Sequence, residues 1–164
     1  MQFRTFTGNP VTSRAHCVVV GVYDKNNLSP SAERLDKTSR GTIKKVLARG
    51  DISGAVGQTL LLQDLRGIQA PRVLLVGLGK PRDLDTPRFL SVLNSAAQAL
   101  AKTQTKQALV CLLEAEVTDR SFAWTSQRLV EQFLESAYRF TEMKGKPPIS
   151  KNSLTRIDLL VDRD

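Results

Sequence analysis

An apolar run, Val73 to Leu78, leads straight into Gly77-Leu78-Gly79-Lys80. Glycines and a lysine after a strand are where backbone amides can cradle a phosphate. The spacing argues against that chemistry. A Walker loop needs four residues before its Gly-Lys and a hydroxyl residue after it, whereas Pro81 follows Lys80. A dinucleotide fingerprint needs a third glycine, and Arg82 stands in its place. The next helix start, near Pro87, also comes too late for its amides to join the loop. The glycines then read as a tight turn closing a strand.

Other reactive side chains are scattered. His16 is the single histidine and heads an apolar segment, which suits a structural, hydrogen-bonded imidazole. No Ser or Cys has partners spaced for triad chemistry. Asp83 and Asp85 flank Leu84 at a helix start, where acids cap and complement the dipole. Glu114 and Glu116 follow a strand as surface acids, and Trp124 is a packing residue. Cys17 and Cys111 fall inside expected strands (His16 to Val22 and Ala108 to Leu113) and read as reduced core thiols. With so little histidine and cysteine, no zinc pattern can be drawn. The sequence therefore offers no catalytic, metal or cofactor-binding residue.

Charge is the remaining lead. The chain of 164 residues carries a formal +8. Residues 33 to 49 hold Arg34, Lys37, Arg40, Lys44, Lys45 and Arg49 against Glu33 and Asp36. On a continuous helix Lys37, Arg40 and Lys44 share one face, opposite Leu35, Ile43 and Leu47. Such a face is either solvated or a set of phosphate contacts, and Arg34, Lys37, Arg40, Lys44 and Lys45 are the candidate DNA-contacting residues. Aromatics for stacking single-stranded bases are missing from it. A second basic excess, Arg139, Lys144, Lys146 and Lys151, surrounds a late linker.

The elements that would position these groups follow from periodicity and punctuation. Phe3 to Thr7 alternates as a half-buried edge strand, and His16 to Val22 is a buried strand closed by Asp24-Lys25-Asn26-Asn27. Ser29-Pro30 opens a helix whose inner stripe is Leu35, Ser39, Ile43, Val46 and Leu47. Gly41 bends or splits it, and Gly50 ends it. Asp51 to Val56 forms a loop. Thr59 to Leu62 and Val73 to Leu78, both short and continuously apolar, read as neighbouring central strands covered on both faces. Thr86 as N-cap and Pro87 open a helix with stripe Phe89, Leu93, Ala96, Ala97 and Leu100. After the strand Ala108 to Leu113, Thr118 to Ser121 begins a helix with stripe Phe122, Leu129, Val130, Phe133, Leu134, Ala137 and Phe140. Lys144 to Pro148 stops that helix, and Ile157 to Val161 is the last strand. The order predicts a single-domain α/β three-layer sandwich, α/β/α, around a mixed sheet. No apolar run reaches the roughly 20 residues that span a bilayer. Nor does the N-terminus carry a signal-peptide core. The expectation is a cytoplasmic protein with no membrane partner.

Three segments together carry a family resemblance. They are Ala32-Glu33-Arg34-Leu35-Asp36-Lys37 with Gly41, then Arg49-Gly50-Asp51-Ile52-Ser53-Gly54 running into Gly57-Gln58-Thr59-Leu60-Leu61-Leu62, and Arg72 to Lys80. In this order and spacing the chain resembles the N-terminal domain of the leucyl (cytosol) aminopeptidases. Ala55-Val56 departs mildly, since many relatives have a lysine there. The resemblance implies a macro-domain-like sheet in residues 1–164, non-catalytic itself, beside a C-terminal catalytic domain. That other domain would hold two divalent metals, zinc or manganese, and release N-terminal residues such as leucine from peptides. The family's Asn-Thr-Asp-Ala-Glu-Gly-Arg motif has no match here, so no catalytic residue carries over. The resemblance further implies a cytosolic homohexamer, with DNA contact in some bacterial relatives. The alternative is a free-standing macro-like module that binds ADP-ribose, another nucleotide or nucleic acid.

Overall fold

The computed structural model describes residues 1–143 and 154–161. In chain order its elements are β1 (Gln2–Phe6), β2 (Cys17–Tyr23), α1 (Pro30–Thr38), α2 (Thr42–Ala48) and β3 (Thr59–Gln63). β4 (Arg72–Gly79), α3 (Thr86–Ala101), β5 (Gln107–Val110), α4 (Phe122–Met143) and β6 (Arg156–Leu160) follow. Short 3₁₀ turns lie at Pro10–Thr12 and Leu112–Glu114.

One six-stranded sheet runs in the order β1-β6-β5-β2-β4-β3. Every neighbouring pair is parallel except β3 with β4, so the sheet is mixed. β2 lies between β5 and β4, and its alternating side chains feed two cores. Cys17 and Val19 join Leu74, Val76 and the α3 stripe Phe89, Leu93 and Ala96, together with Leu129 and Phe133 of α4. Val18, Val20 and Val22 join Val73 and Leu75 under Leu35 of α1 and Ile43, Val46 and Leu47 of α2. Helices thus cover both faces, in the α/β/α arrangement the element order predicts.

Local chemistry sets the helix ends. The Ser29 hydroxyl accepts the Ala32 amide at α1, with Pro30 at the first helical position. Gly41 takes φ +82, a left-handed conformation open to glycine, and divides α1 from α2. α2 has no side-chain cap of its own at Gly41. Instead buried Asp36 of α1 accepts the Lys44 amide at 2.9 Å. The side chain thus satisfies an orphan donor in the first turn of the next helix.

Several expectations need correction. Thr59 to Leu62 forms β3, which neighbours β4 as expected but is the edge strand, not a central one. It reads as continuously apolar because Leu61 packs toward the α3 side while Leu60 and Leu62 pack toward α1 and α2. Asp85, not Thr86, caps α3, its carboxylate accepting the Arg88 amide at 3.0 Å. The strand expected over Ala108 to Leu113 stops at Val110, so Cys111 lies just past it. Leu112 and Leu113 remain apolar because the 3₁₀ turn that holds them is also buried. In α4, Leu129 and Phe133 are buried, but Phe122, Leu134 and Ala137 of the expected inner stripe are exposed. The Phe140 side chain and the expected stop at Lys144 to Pro148 lie outside the described residues.

Candidate functional site

In open α/β sheets ligands bind beyond the carboxyl ends of the strands, where connections diverge to either side. Here that place is the end of β2, with β4 on one side and β5 on the other. The glycines of β4 lie beside it, and their amides are already engaged. Gly77 donates to Gln58 O at 2.7 Å, and Gly79 donates to Gly54 O at 2.8 Å. Gly57 donates back to Gly77 O at 3.0 Å. The chain's own strap, residues 54–58, lies on the glycine bed. A Cβ on Gly77 would stand 2.8 Å from the Ala55 carbonyl carbon and overlap its oxygen. Glycine at 77 therefore serves close backbone approach, and the approaching backbone is internal.

The β5 side is filled by an acid. Glu114, half-buried after β5, accepts the Ser31 amide at 3.1 Å and also the Ser31 hydroxyl. A carboxylate at the positive end of α1 is favourable by dipole and by hydrogen bond. Glu114 is thus tied to α1, where the sequence alone suggests a surface acid. Burial raises the Tyr23 pKa above that of an ordinary phenol, and Glu114 and Glu116 raise it further. Burial pushes the Cys17 thiol up to about 12, and burial with Glu114 raises Cys111 as well. Both are inert core thiols rather than nucleophiles. His16 lies just before β2, where its Nδ1 accepts the Lys106 amide at 3.2 Å. Trp124 packs on Phe89 at a ring separation of 6.3 Å, with the Arg120 guanidinium 4.4 Å from its ring centroid.

The basic residues lie on α1, α2 and the corner between them, all exposed. The break at Gly41 removes the single continuous face that Lys37, Arg40 and Lys44 would share on one helix. Lys44 pairs with Glu33 at 3.3 Å, and Arg49 with Asp51 at 3.6 Å. These pairs are solvent-exposed and worth at most about 1 kcal/mol each. Among the described residues no carboxylate lies within ion-pair distance of Arg34, Lys37, Arg40 or Lys45. The β3–β4 loop also reaches the end of α1, where its Gly67 lies against Thr38. Sequence spacing gives no sign of that proximity. Of the second basic group, Lys144, Lys146 and Lys151 and the Arg139 side chain lie outside the described residues.

Residues 19–147 match the family model described as the cytosol aminopeptidase family, N-terminal domain. The chain belongs to the cytosol aminopeptidase family. A probable cytosol aminopeptidase of Methylobacillus flagellatus is 39% identical over 163 residues, which is 99% of this chain and 33% of that protein. The chain thus spans about a third of the length of the curated relatives it matches. A tomato leucine aminopeptidase structure aligns over 98% of this chain and 32% of its own, with TM-score 0.74 at 19% identity. The macrodomain of Mycobacterium tuberculosis DarG aligns over 96% of this chain and 97% of its own, with TM-score 0.69 at 10% identity. Both share the fold, as the family resemblance implies. Among the described residues of this aminopeptidase-family domain, no group of three or more His, Cys, Asp or Glu side chains is placed to hold a metal ion. The described part of the domain does not fit the family's metals. No described helix is long and apolar enough to cross a membrane.

Proposed function

We propose that this chain is the non-catalytic domain of a cytoplasmic, metal-dependent leucyl aminopeptidase that removes N-terminal residues from peptides. The observation that carries the reading is the alignment of nearly the whole chain with one third of a cytosol aminopeptidase. The catalytic acids, the two zinc or manganese ions and the peptide pocket then belong to the other two-thirds of such a polypeptide. The domain's part is assembly and regulation within a homohexamer. The test is hydrolysis of leucine p-nitroanilide by the purified chain with zinc or manganese added. No turnover is expected, and clear metal-dependent turnover would refute the assignment.

DNA contact is the finer part of the proposal, supported by the exposed cations Arg34, Lys37, Arg40 and Lys45 that lack described ion-pair partners. Phosphate contacts of this kind read no bases, so duplex affinity should not depend on sequence. It should fall with salt at a log–log slope of about −0.9 per phosphate neutralised. Neutralising Lys37, Arg40 and Lys45 together should flatten that slope. An unchanged slope, or no duplex binding at low salt, removes DNA from the proposal.

The alternative, a nucleotide module using Gly77 to Lys80, would have to break the strap's hydrogen bonds before any phosphate met those amides. Calorimetry with ADP-ribose tests it, and binding tighter than millimolar would favour it.

A further inference from the structure

β3 is an open edge of the sheet, and its backbone is only half used. In its antiparallel pairing with β4, hydrogen-bonded and non-hydrogen-bonded residue pairs alternate. The bonded pairs are fixed at the two ends of the strand, where Gly77 N donates to Gln58 O and Asp64 N donates to Pro71 O. Leu60 and Leu62 therefore turn their backbone groups toward β4, while the amides and carbonyls of Thr59, Leu61 and Gln63 face outward. Among the described residues none of these outward groups has a hydrogen-bond partner. Sheet edges are commonly blunted by a lysine or a proline. Thr59–Gln63 reads Thr-Leu-Leu-Leu-Gln and has neither.

A cavity of about 320 Å³ opens beside this edge, between β3 and α3. Leu61, Leu74 and Ala99 give it apolar walls, and Ser95, Gln98 and Lys102 give it polar ones. Ligand pockets run from roughly 300 to 1,000 Å³, so this one suits a side chain better than a dinucleotide. Among the described residues no carboxylate lies within ion-pair distance of exposed Lys102. A strand laid antiparallel along β3 would bond both backbone groups of one residue to both of Leu61. The side chain of that residue then falls on the same face as Leu61, the α3 side, at the cavity. Residues two places away share that face, which also carries Lys102. Strand addition of this kind takes affinity from main-chain bonds and specificity from pockets for alternate side chains. We propose that the β3–α3 groove binds an extended peptide, with an aliphatic side chain in the cavity and an acidic residue two positions away. The proposal adds a peptide contact to the aminopeptidase reading and does not depend on it.

The probe is the capped peptide acetyl-Glu-Thr-Leu-Thr-Glu-amide, whose leucine and two acids share one face in the extended form. Saturating probe should slow hydrogen exchange at the Leu61 amide about tenfold or more. N-methylating the probe's leucine removes the donor to Leu61 O without changing charge, and should weaken binding about tenfold. Alanine in place of that leucine should weaken it about tenfold or more through lost burial. Lys102→Ala should cost about two- to fivefold in low salt and little in high salt. Gln63→Pro removes an outward donor and leaves the bonds to β4, so it should weaken binding with the melting temperature nearly unchanged. Equal affinity for the probe and its N-methyl form refutes strand addition, and so does a chain that does not bind the probe. A Leu61 amide that already exchanges slowly without peptide refutes it too, because the edge would then be covered. Sedimentation showing a dimer that Gln63→Pro dissolves would assign the edge to a second copy instead. Should Gln63→Pro unfold the chain, the N-methyl comparison decides. Hydrolysis of leucine p-nitroanilide is read separately, so the failure of either reading leaves the other standing.

Discussion

Substituting Gly77→Ala asks whether the glycine bed exists to receive the strap. Gly77 lies in β4 without a positive φ, so alanine suits its backbone. Replacing a strand glycine should by itself stabilise by about 0.5–1 kcal/mol. Against that, the new methyl would stand 2.8 Å from the Ala55 carbonyl carbon and 2.9 Å from the Gly54 carbonyl carbon. Backbone cannot swing aside as a flexible side chain can, so the strap must lift. Lifting it breaks the bonds Gly77 N to Gln58 O, Gly57 N to Gly77 O and Gly79 N to Gly54 O. At about 1 kcal/mol each the loss is about 3 kcal/mol, leaving a net destabilisation of about 2–2.5 kcal/mol. Urea unfolding measures the change, and exchange at the Gly79 amide should accelerate because its acceptor is on the strap. Gly41→Ala is the contrasting control, since no atom lies within 4 Å of its new methyl. Its cost is left-handed backbone strain alone, about 1–2 kcal/mol, with the Gly79 amide unaffected. A Gly77→Ala protein as stable as the parent, or more stable, would refute the strap argument.

Other outcomes follow from single contacts. Asp36→Ala removes the borrowed cap of α2 and should cost about 1–2 kcal/mol, read by urea unfolding, with exchange at the Lys44 amide accelerated. Glu114→Gln keeps an acceptor for Ser31 but loses the charge at the α1 N-terminus. A loss of about 0.5–1 kcal/mol is expected, and it should shrink in high salt. Phe89→Ala, from the fully buried α3 stripe, should cost about 3–5 kcal/mol. Finally, Cys17 titrates near 12 when folded, against the ordinary value of 9.0 expected of the unfolded chain. Between these values the unfolded state has released the proton that the folded state keeps, so stability is whole below pH 9.0 and falls above it. The expected slope is about 1.4 kcal/mol per pH unit for Cys17, and Cys111 adds to it in the same direction. Urea midpoints measured on either side of that pH, for the parent and for Cys17→Ala, check the claim. The variant should show the shallower decline.

Much of the layering was legible in the sequence because it depends on local pattern. The apolar run from His16 to Val22, the Ser29-Pro30 start and the break at Gly41 are each written in a few adjacent residues. Strand order is not. Thr59 to Leu62 looks central because both its faces are apolar, yet whether another strand lies beyond it depends on residues far away in the chain. α4 misleads for a related reason. Its sequence carries two apolar stripes, and periodicity gives no way to tell which one the sheet takes. The contacts around the β2 end were also hidden, since Glu114 reaches Ser31 across 83 positions, and so was the approach of Gly67 to Thr38 at the end of α1. Gly54 and Gly57, bracketing Ala55-Val56, were a local hint of the strap, but its target on β4 had no sequence signature.

Likeness to macrodomains and possession of a nucleotide site are separable, and the strap shows how. A phosphate at the end of β4 would need backbone donors free of internal acceptors and a surface open to solvent. In this chain the Gly77 and Gly79 amides point into Gln58 and Gly54, and the α1 N-terminus is met by a carboxylate from Glu114. Each of these groups occupies a position that an anionic ligand would otherwise claim, and each occupant stabilises the fold. An anion could enter only by displacing hydrogen bonds worth about 3 kcal/mol, a handicap of more than a hundredfold in affinity. That handicap, rather than any difference in sheet topology, is what separates likeness to macrodomains from possession of a nucleotide site.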